Sequence, residues 1–144
     1  VAKIDVVKRL LIAKTNVGNG PIQVFVSPND KYLLVANQGT EQTPSTTVSI
    51  IDTATFSVVK TVETGKGAHG IVIEPSSRNA YITNIFGNNI AILDLAKLEI
   101  TATVSTGIKP NGISFSSLSP ATASSTNIAI KLPDTQDSDD EMKH

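Results

Sequence analysis

Residues 67–108 read GAHGIVIEPSSRNAYITNIFGNNIAILDLAKLEITATVSTGI, and this stretch decides the fold. It contains four short runs rich in β-branched residues, which we name strands a, b, c and d, at 70–74, 80–83, 89–93 and 99–104. Every gap between the runs holds Gly, Pro, Asn, Asp or Ser, which form turns for stereochemical reasons. The stretch therefore predicts one unit of four antiparallel β-strands.

The same unit recurs along the chain at constant spacing. An Asp at the end of strand c precedes the start of the next unit by 15 residues, in the pairs Asp5 and Gly20, Asp52 and Gly67, and Asp94 and Lys109. A Pro after strand a is followed nine residues later by an Asn, in the pairs Pro28 and Asn37, and Pro75 and Asn84. Four strands at a period of about 40–50 residues are typical of β-propeller blades.

The repeat divides the chain into five parts. Residues 1–19 supply strands c and d of a partial first blade, 20–66 and 67–108 form whole blades, 109–132 form a degraded partial blade, and 133–144 form an acidic disordered tail. In the degraded copy, strand a is predicted at 112–115, and a Ser- and Ala-rich stretch replaces strand b. The predicted fold is therefore all-β, an incomplete propeller of about three blades' worth, below the usual four to eight.

The alternation of the strands predicts which side chains are buried between blades. Alternate residues of a strand point to opposite faces of its sheet, and the faces between neighbouring blades must be apolar. The residues predicted to be buried there are Val35, Ile50, Ile71, Ile73, Ile82, Ile90 and Ile92.

Several segments resemble one family of repeats. Residues 81–84 read Tyr-Ile-Thr-Asn and 35–37 read Val-Ala-Asn, and with 27–31, 48–55 and 67–70 they resemble the Tyr-Val-Thr-Asn (YVTN) β-propeller repeat. The resemblance covers about residues 1–115. It implies a surface or periplasmic propeller, hence an extracytoplasmic location, that is often a binding or assembly module and sometimes a subunit of a redox enzyme. It says almost nothing about the ligand.

Composition excludes several classes of site. Lys and Arg (12) nearly balance Asp and Glu (13), so the chain has no broad field for nucleic acid or an acidic membrane surface. The absence of Cys excludes disulfides, thiolate zinc sites and iron–sulfur ligation. No apolar run approaches the roughly 20 residues of a membrane-spanning helix. No nucleophile elbow, phosphate loop or His-Glu metal motif is found, so we predict no catalytic residue, metal or cofactor.

The candidate binding residues follow from the blade topology. The d–a and b–c loops fall on one face of a propeller, and the residues expected to bind a ligand or partner there are Gln23, His69, Asn84, Phe86 and Asn111. The positions equivalent to His69 are Ile22 and Asn111, so no second imidazole or carboxylate joins it as a metal ligand or proton relay.

Repeated polar residues are also explained by the turns. Asp5, Asp52 and Asp94 fit Asx-turns after strand c, and Asn37 and Asn84 fit amides that anchor the loop after strand b. In the tail, Asp137, Asp139 and Glu141 alternate as in a calcium loop, but Met142 stands where that loop needs Gly.

These features favour a non-enzymatic scaffold that binds a protein or small-molecule ligand at the d–a and b–c loops. The alternative is a propeller component of a quinoprotein or haem-type oxidoreductase, or of a lactonase-like enzyme, which the resemblance also implies. Single-stranded nucleic-acid binding, known among similar propellers, is disfavoured by the balanced charge and by only four Phe and two Tyr.

The partial blades at both ends allow two interpretations, and one of them is a homodimer. Each chain's C-terminal strand would complete the other's N-terminal half-blade and close a ring of about six blades. The other interpretation, which we favour, is a piece of a longer single-chain propeller.

Overall fold

The computed structural model describes residues 1–118. This part of the chain contains ten β-strands and no helix. The strands are β1 (Ala2–Asp5), β2 (Leu10–Lys14), β3 (Pro21–Val26), β4 (Tyr32–Gly39), β5 (Pro44–Asp52), β6 (Ser57–Glu63), β7 (Ala68–Ile73), β8 (Asn79–Asn84), β9 (Asn89–Asp94) and β10 (Glu99–Ser105). None of the elements described is a helix long and apolar enough to cross a membrane.

The strands form three antiparallel sheets, one of two strands and two of four. Strands β1 and β2 make a hairpin, and the four-stranded sheets have the orders β3-β4-β5-β6 and β7-β8-β9-β10. Each four-stranded sheet thus follows the chain order a-b-c-d of a propeller blade. The predicted all-β propeller fold is confirmed, and β7 to β10 lie within two residues of the predicted strand ends.

The strand predicted at 112–115 is wrong, because these residues are irregular. A β-strand needs a hydrogen-bonded neighbour, and the described part of the chain offers this segment none. It nevertheless packs against the sheet β7–β10: the main-chain oxygen of Asn111 accepts a hydrogen bond from Thr83 Oγ1 (3.2 Å), and the ring of Phe115 stacks on Tyr81 with centroids 6.4 Å apart. Predictions for 119–144, including the acidic tail, lie outside the described residues.

The main core lies between the two four-stranded sheets. Its fully buried members include Leu34 and Ile50 from one sheet, and Ile71, Ile82 and Leu93 from the other. A smaller cluster of Leu33, Val35 and Ile51 covers the opposite face of the sheet β3–β6, where residues 1 and 17, beside the β1–β2 hairpin, pack against it. Apolar residues on both faces are what a sheet between two blades requires.

The burial prediction is confirmed for five of its seven residues and wrong for the other two. Val35, Ile50, Ile71, Ile73 and Ile82 are buried. Ile90 and Ile92 are only half-buried, because Ala91 and Leu93 take the positions of β9 that face the core. Ile90 and Ile92 point to the other face of the sheet, which no further sheet covers within residues 1–118.

The three Asx-turns after strand c are confirmed. Oδ1 of Asp5, Asp52 and Asp94 accepts hydrogen bonds from the main-chain N–H groups two and three residues later, at 2.8–3.1 Å. The N–H donated by Thr55 is the main cause that lowers the pKa of Asp52, and the N–H of Lys97 does the same for Asp94. These carboxylates therefore hold the turns between strands c and d.

Candidate functional site

A cleft of about 290 Å³ opens where three successive units begin their innermost segment. Its lining residues are Ile22, Gln23, His69, Gly70, Asn111, Gly112 and Ile113. The lining residues come from three segments, 22–23, 69–70 and 111–113, and the chain turns sharply just before each segment. The residues at these turns occupy the same position of the repeat and have positive φ values: 60° at Gly20, 73° at Gly67 and 52° at Lys109. The constant spacing of the repeat therefore brings together residues that lie up to 91 positions apart.

His69 is held in one orientation by a residue of the neighbouring sheet. Its Nδ1 lies 2.6 Å from Oε1 of Gln38, near the end of β4. A carbonyl oxygen only accepts, so the ring hydrogen is on Nδ1, and Nε2 of the neutral ring carries a lone pair. The contact fixes the tautomer of the imidazole and ties two blades together beside the cleft.

Gln23 makes a second link between the same two sheets. Its Oε1 accepts a hydrogen bond from the main-chain N–H of Ile71 at 2.7 Å. The side-chain NH₂ group of Gln23 has no partner in the part of the chain that the structure describes. An amide whose oxygen is engaged in this way presents two donors in a fixed position.

Thr83 holds the main chain of two residues that line the cleft, Gly70 and Asn111. Its Oγ1 accepts from the N–H of Gly70 at 2.8 Å and donates to the main-chain oxygen of Asn111 at 3.2 Å. One hydroxyl on β8 thus holds both β7 and the segment after β10. Thr83 is the third residue of the Tyr-Ile-Thr-Asn tetrapeptide, so the repeat motif itself supplies this support.

Three of the five predicted binding residues, Gln23, His69 and Asn111, line the cleft. Asn84 is placed elsewhere, because its side chain is fully buried. Its Nδ2 donates to the main-chain oxygen of Thr64 (2.9 Å) and to Oδ1 of Asn89 (2.6 Å). Its Oδ1 accepts from the side-chain hydroxyl of Thr64 (3.1 Å). Every hydrogen-bonding group of this amide serves the fold, as the loop-anchoring role predicts, and none is left for a ligand.

Phe86 also lies apart from the cleft lining. It is half-buried in the loop between β8 and β9, where its N–H donates to the oxygen of Lys66 at 3.1 Å. Its ring packs on Gly67, where a Cβ atom would collide with it. Phe86 therefore supports the corner at Gly67.

The charges near the cleft are paired or remote. Lys109 Nζ lies 2.9 Å from Glu41 Oε1, across 68 residues of sequence, and both side chains are exposed. Apart from His69, no ionisable side chain lines the cleft. Within residues 1–118, no group of three His, Cys, Asp or Glu residues could hold a metal ion. The cleft offers amides, one imidazole and main-chain groups.

The sequence matches the YNCE-like beta-propeller family over residues 1–133. The chain belongs to this family. No functionally curated protein matches it. The family match agrees with the observed sheets, because this YNCE-like chain builds each complete propeller blade from four consecutive strands.

Several solved structures share the fold. One is a functionally unknown protein from Desulfotomaculum acetoxidans DSM 771, with 19% identity, a TM-score of 0.66, and coverage of 80% of this chain and 38% of that one. Kuenenia stuttgartiensis hydrazine synthase has 21% identity, a TM-score of 0.60, and coverage of 70% and 28%. Dihydro-heme d1 dehydrogenase NirN in complex with DHE has 18% identity, a TM-score of 0.61, and coverage of 70% and 21%. This YNCE-like chain thus spans less than two fifths of each, and the likeness shows the fold alone.

Proposed function

We propose that this YNCE-like chain is a non-enzymatic binding scaffold that holds its ligand in the cleft between Gln23, His69 and Asn111. The observation that carries the proposal is the convergence of these three residues from three successive units on one cleft. The hydrogen bonds that His69 donates to Gln38 and that the N–H of Ile71 donates to Gln23 hold two of them in place before a ligand arrives. Such preorganisation lowers the entropy cost of binding.

We assign the chain to the YVTN type within the propellers, on the motifs at 35–37 and 81–84. An extracytoplasmic location is proposed on the same resemblance, which is to surface and periplasmic propellers.

A second candidate is a propeller component of a quinoprotein or haem-type oxidoreductase, or of a lactonase-like enzyme. Two of the structurally similar proteins are named as enzymes, a hydrazine synthase and a dihydro-heme d1 dehydrogenase. A visible absorption band or a stoichiometric metal in the purified protein would favour this candidate. A colourless, metal-free sample would favour the scaffold.

The scaffold proposal predicts binding confined to the cleft. We expect at least one of three soluble probes, acetyl-dialanine methylamide, sucrose and hexathymidylate, to shift the amide NMR signals of residues 22–23, 69–70 and 111–113. Replacing Gln23 or His69 with alanine should weaken that binding about 2- to 10-fold, the cost of one neutral hydrogen bond.

The matched control is Arg78→Ala, in the turn between β7 and β8, at the opposite end of the strands from the d–a corners that line the cleft. It should leave binding unchanged. Shifts confined to other surfaces, or no shift with any probe, would refute a binding role for the cleft.

We also propose a homodimer, which depends on the two flanks of the molecule. The outer edge of β1 pairs with no strand in the described region, and a groove of about 280 Å³ beside it exposes half of Val24 (50%) and Val26 (46%). In a complete blade, strand b would pair with this edge of β1, and strand a would lie beyond strand b. At the other flank, Phe115 is 40% exposed and belongs to a segment that lacks a partner strand within residues 1–118.

If a second copy supplies strands that pair with the outer edge of β1, light scattering should give one discrete species with twice the mass of one chain. Breaking the groove with Val24→Asp should convert it to the monomer, because a charge would be buried in an apolar interface. A monomer or a polydisperse aggregate of the unaltered chain would contradict the shared ring.

A further inference from the structure

We infer that the cleft recognises an uncharged amide, the main chain of an extended segment of a partner protein. This inference rests on the proposed function, because it names the ligand class of the same cleft. It depends on which hydrogen-bonding groups the fold has already used and which charges the cleft lacks.

The first group left for a ligand is an acceptor. His69 Nδ1 donates its hydrogen to Gln38, so Nε2 is the unused acceptor of the neutral ring within the described structure. A peptide N–H is a matching donor. Because Gln38 fixes the ring, this acceptor occupies one position and needs no reorganisation.

The second group is a donor on the neighbouring sheet. Gln23 Oε1 is occupied by the N–H of Ile71, so its NH₂ group remains to donate to a peptide C=O. A donor and an acceptor held on adjacent blades match the alternating N–H and C=O groups of an extended chain. The exposed side-chain amide of Asn111 adds one further donor and one further acceptor.

The shape of the cleft also fits a main chain. A Cβ atom placed on Gly112 would meet nothing within 4 Å, so the cleft has open space on that side. Ile22 and Ile113 flank it with apolar surface for small side chains. A volume of about 290 Å³ is at the lower limit for a small-molecule site, so it suits a short part of a longer ligand.

The other ligand classes lack their matching groups here. Phosphates and carboxylates are bound by cations, and neither Lys nor Arg lines the cleft, while nearby Lys109 is paired with Glu41. Nucleic-acid bases stack mainly on the broad rings of Phe, Tyr and Trp, and none of these three residue types lines the cleft. An uncharged ligand that both donates and accepts is the class that remains.

The experiment titrates the full chain with acetyl-dialanine methylamide and follows ¹H–¹⁵N signals, including the His69 ring nitrogens. We expect saturable shifts of His69 Nε2 and of the Gln23 side-chain amide, with a Kd of about 1 mM. Replacing each peptide N–H in turn with an ester oxygen should weaken binding about 2- to 10-fold in at least one analogue, since the donor to Nε2 is lost.

Gln23→Glu supplies a matched protein variant. It keeps an oxygen for the N–H of Ile71 but loses the NH₂ donors, so peptide binding should weaken while the amide of Ile71 stays protected from hydrogen exchange. Gln23→Glu binding the peptide as well as the unaltered chain would overturn the inference.

Two further results separate this inference from the proposed function. If sucrose or hexathymidylate shifts the cleft signals and the peptide does not, or if all ester analogues bind equally, the amide inference fails and the cleft remains a binding site. If no probe shifts the cleft signals, both fail.

Discussion

Replacing Ile82 with alanine is expected to lower the free energy of unfolding by about 2–5 kcal/mol. The Ile82 side chain is fully buried between the two four-stranded sheets, in the cluster that contains Leu34, Ile50 and Ile71. Truncation removes three carbon atoms from this core and leaves a cavity, because the facing sheet cannot follow them. Urea unfolding monitored by circular dichroism measures the loss.

Ile92→Ala is the matched control on the same sheet. Ile92 pairs across the strands with Tyr81, next to Ile82, and points to the opposite face, where it is only half-buried. Its truncation should cost less than about 2 kcal/mol, since the lost atoms are partly exposed. Equal losses for the two variants would mean that the two faces of the sheet are assigned wrongly.

The contrast between these two residues shows how far alternation predicts burial. Strand c of this blade is apolar at Ile90, Ala91, Ile92 and Leu93, so both faces have the composition of a core. Which face is buried depends on where a neighbouring sheet lies. The β3–β6 sheet covers Leu93, and no sheet in residues 1–118 covers Ile92. The strands follow from local sequence, whereas the buried face depends on contacts distant in sequence.

The candidate site was predictable to a similar extent. Gln23, His69 and Asn111 could be found because they follow repeated positions at which the chain turns towards the centre of a propeller. Gln38 and Thr83 were missed as site residues because their partners are distant in sequence. Gln38 lies 31 residues from His69, and Thr83 lies 28 residues from Asn111. The Tyr-Ile-Thr-Asn motif marks Thr83 as a repeat position, but no local pattern indicates which residue of the next unit it contacts. Asn84 lies outside the cleft, and its sequence context could not show this, because an amide in a loop motif is equally suited to ligand binding and to loop anchoring.

Val17→Thr is expected to stabilise the protein, because it supplies a partner that a buried amide lacks. Asn37 is fully buried, and its Nδ2 donates to Thr47 Oγ1 and Ser49 Oγ, both at 3.0 Å. Its Oδ1 has no hydrogen-bond partner in the described structure. The equivalent amide in the next unit, Asn84, receives the hydroxyl of Thr64, and the residue in the place of Thr64 is Val17.

An unsatisfied buried acceptor costs about 1–3 kcal/mol, which the new hydroxyl would recover by donating to Asn37 Oδ1. The loss of one methyl group from the partly buried Val17 offsets about 0.8 kcal/mol of this stabilisation. The melting temperature of Val17→Thr should therefore rise. The reciprocal variant, Thr64→Val, should lose about 1–3 kcal/mol, since it leaves Asn84 Oδ1 without its donor in an equally buried place. Thermal unfolding of both variants checks the pair. Opposite signs support the equivalence of the two amides, and a destabilised Val17→Thr with an unaffected Thr64→Val would contradict it.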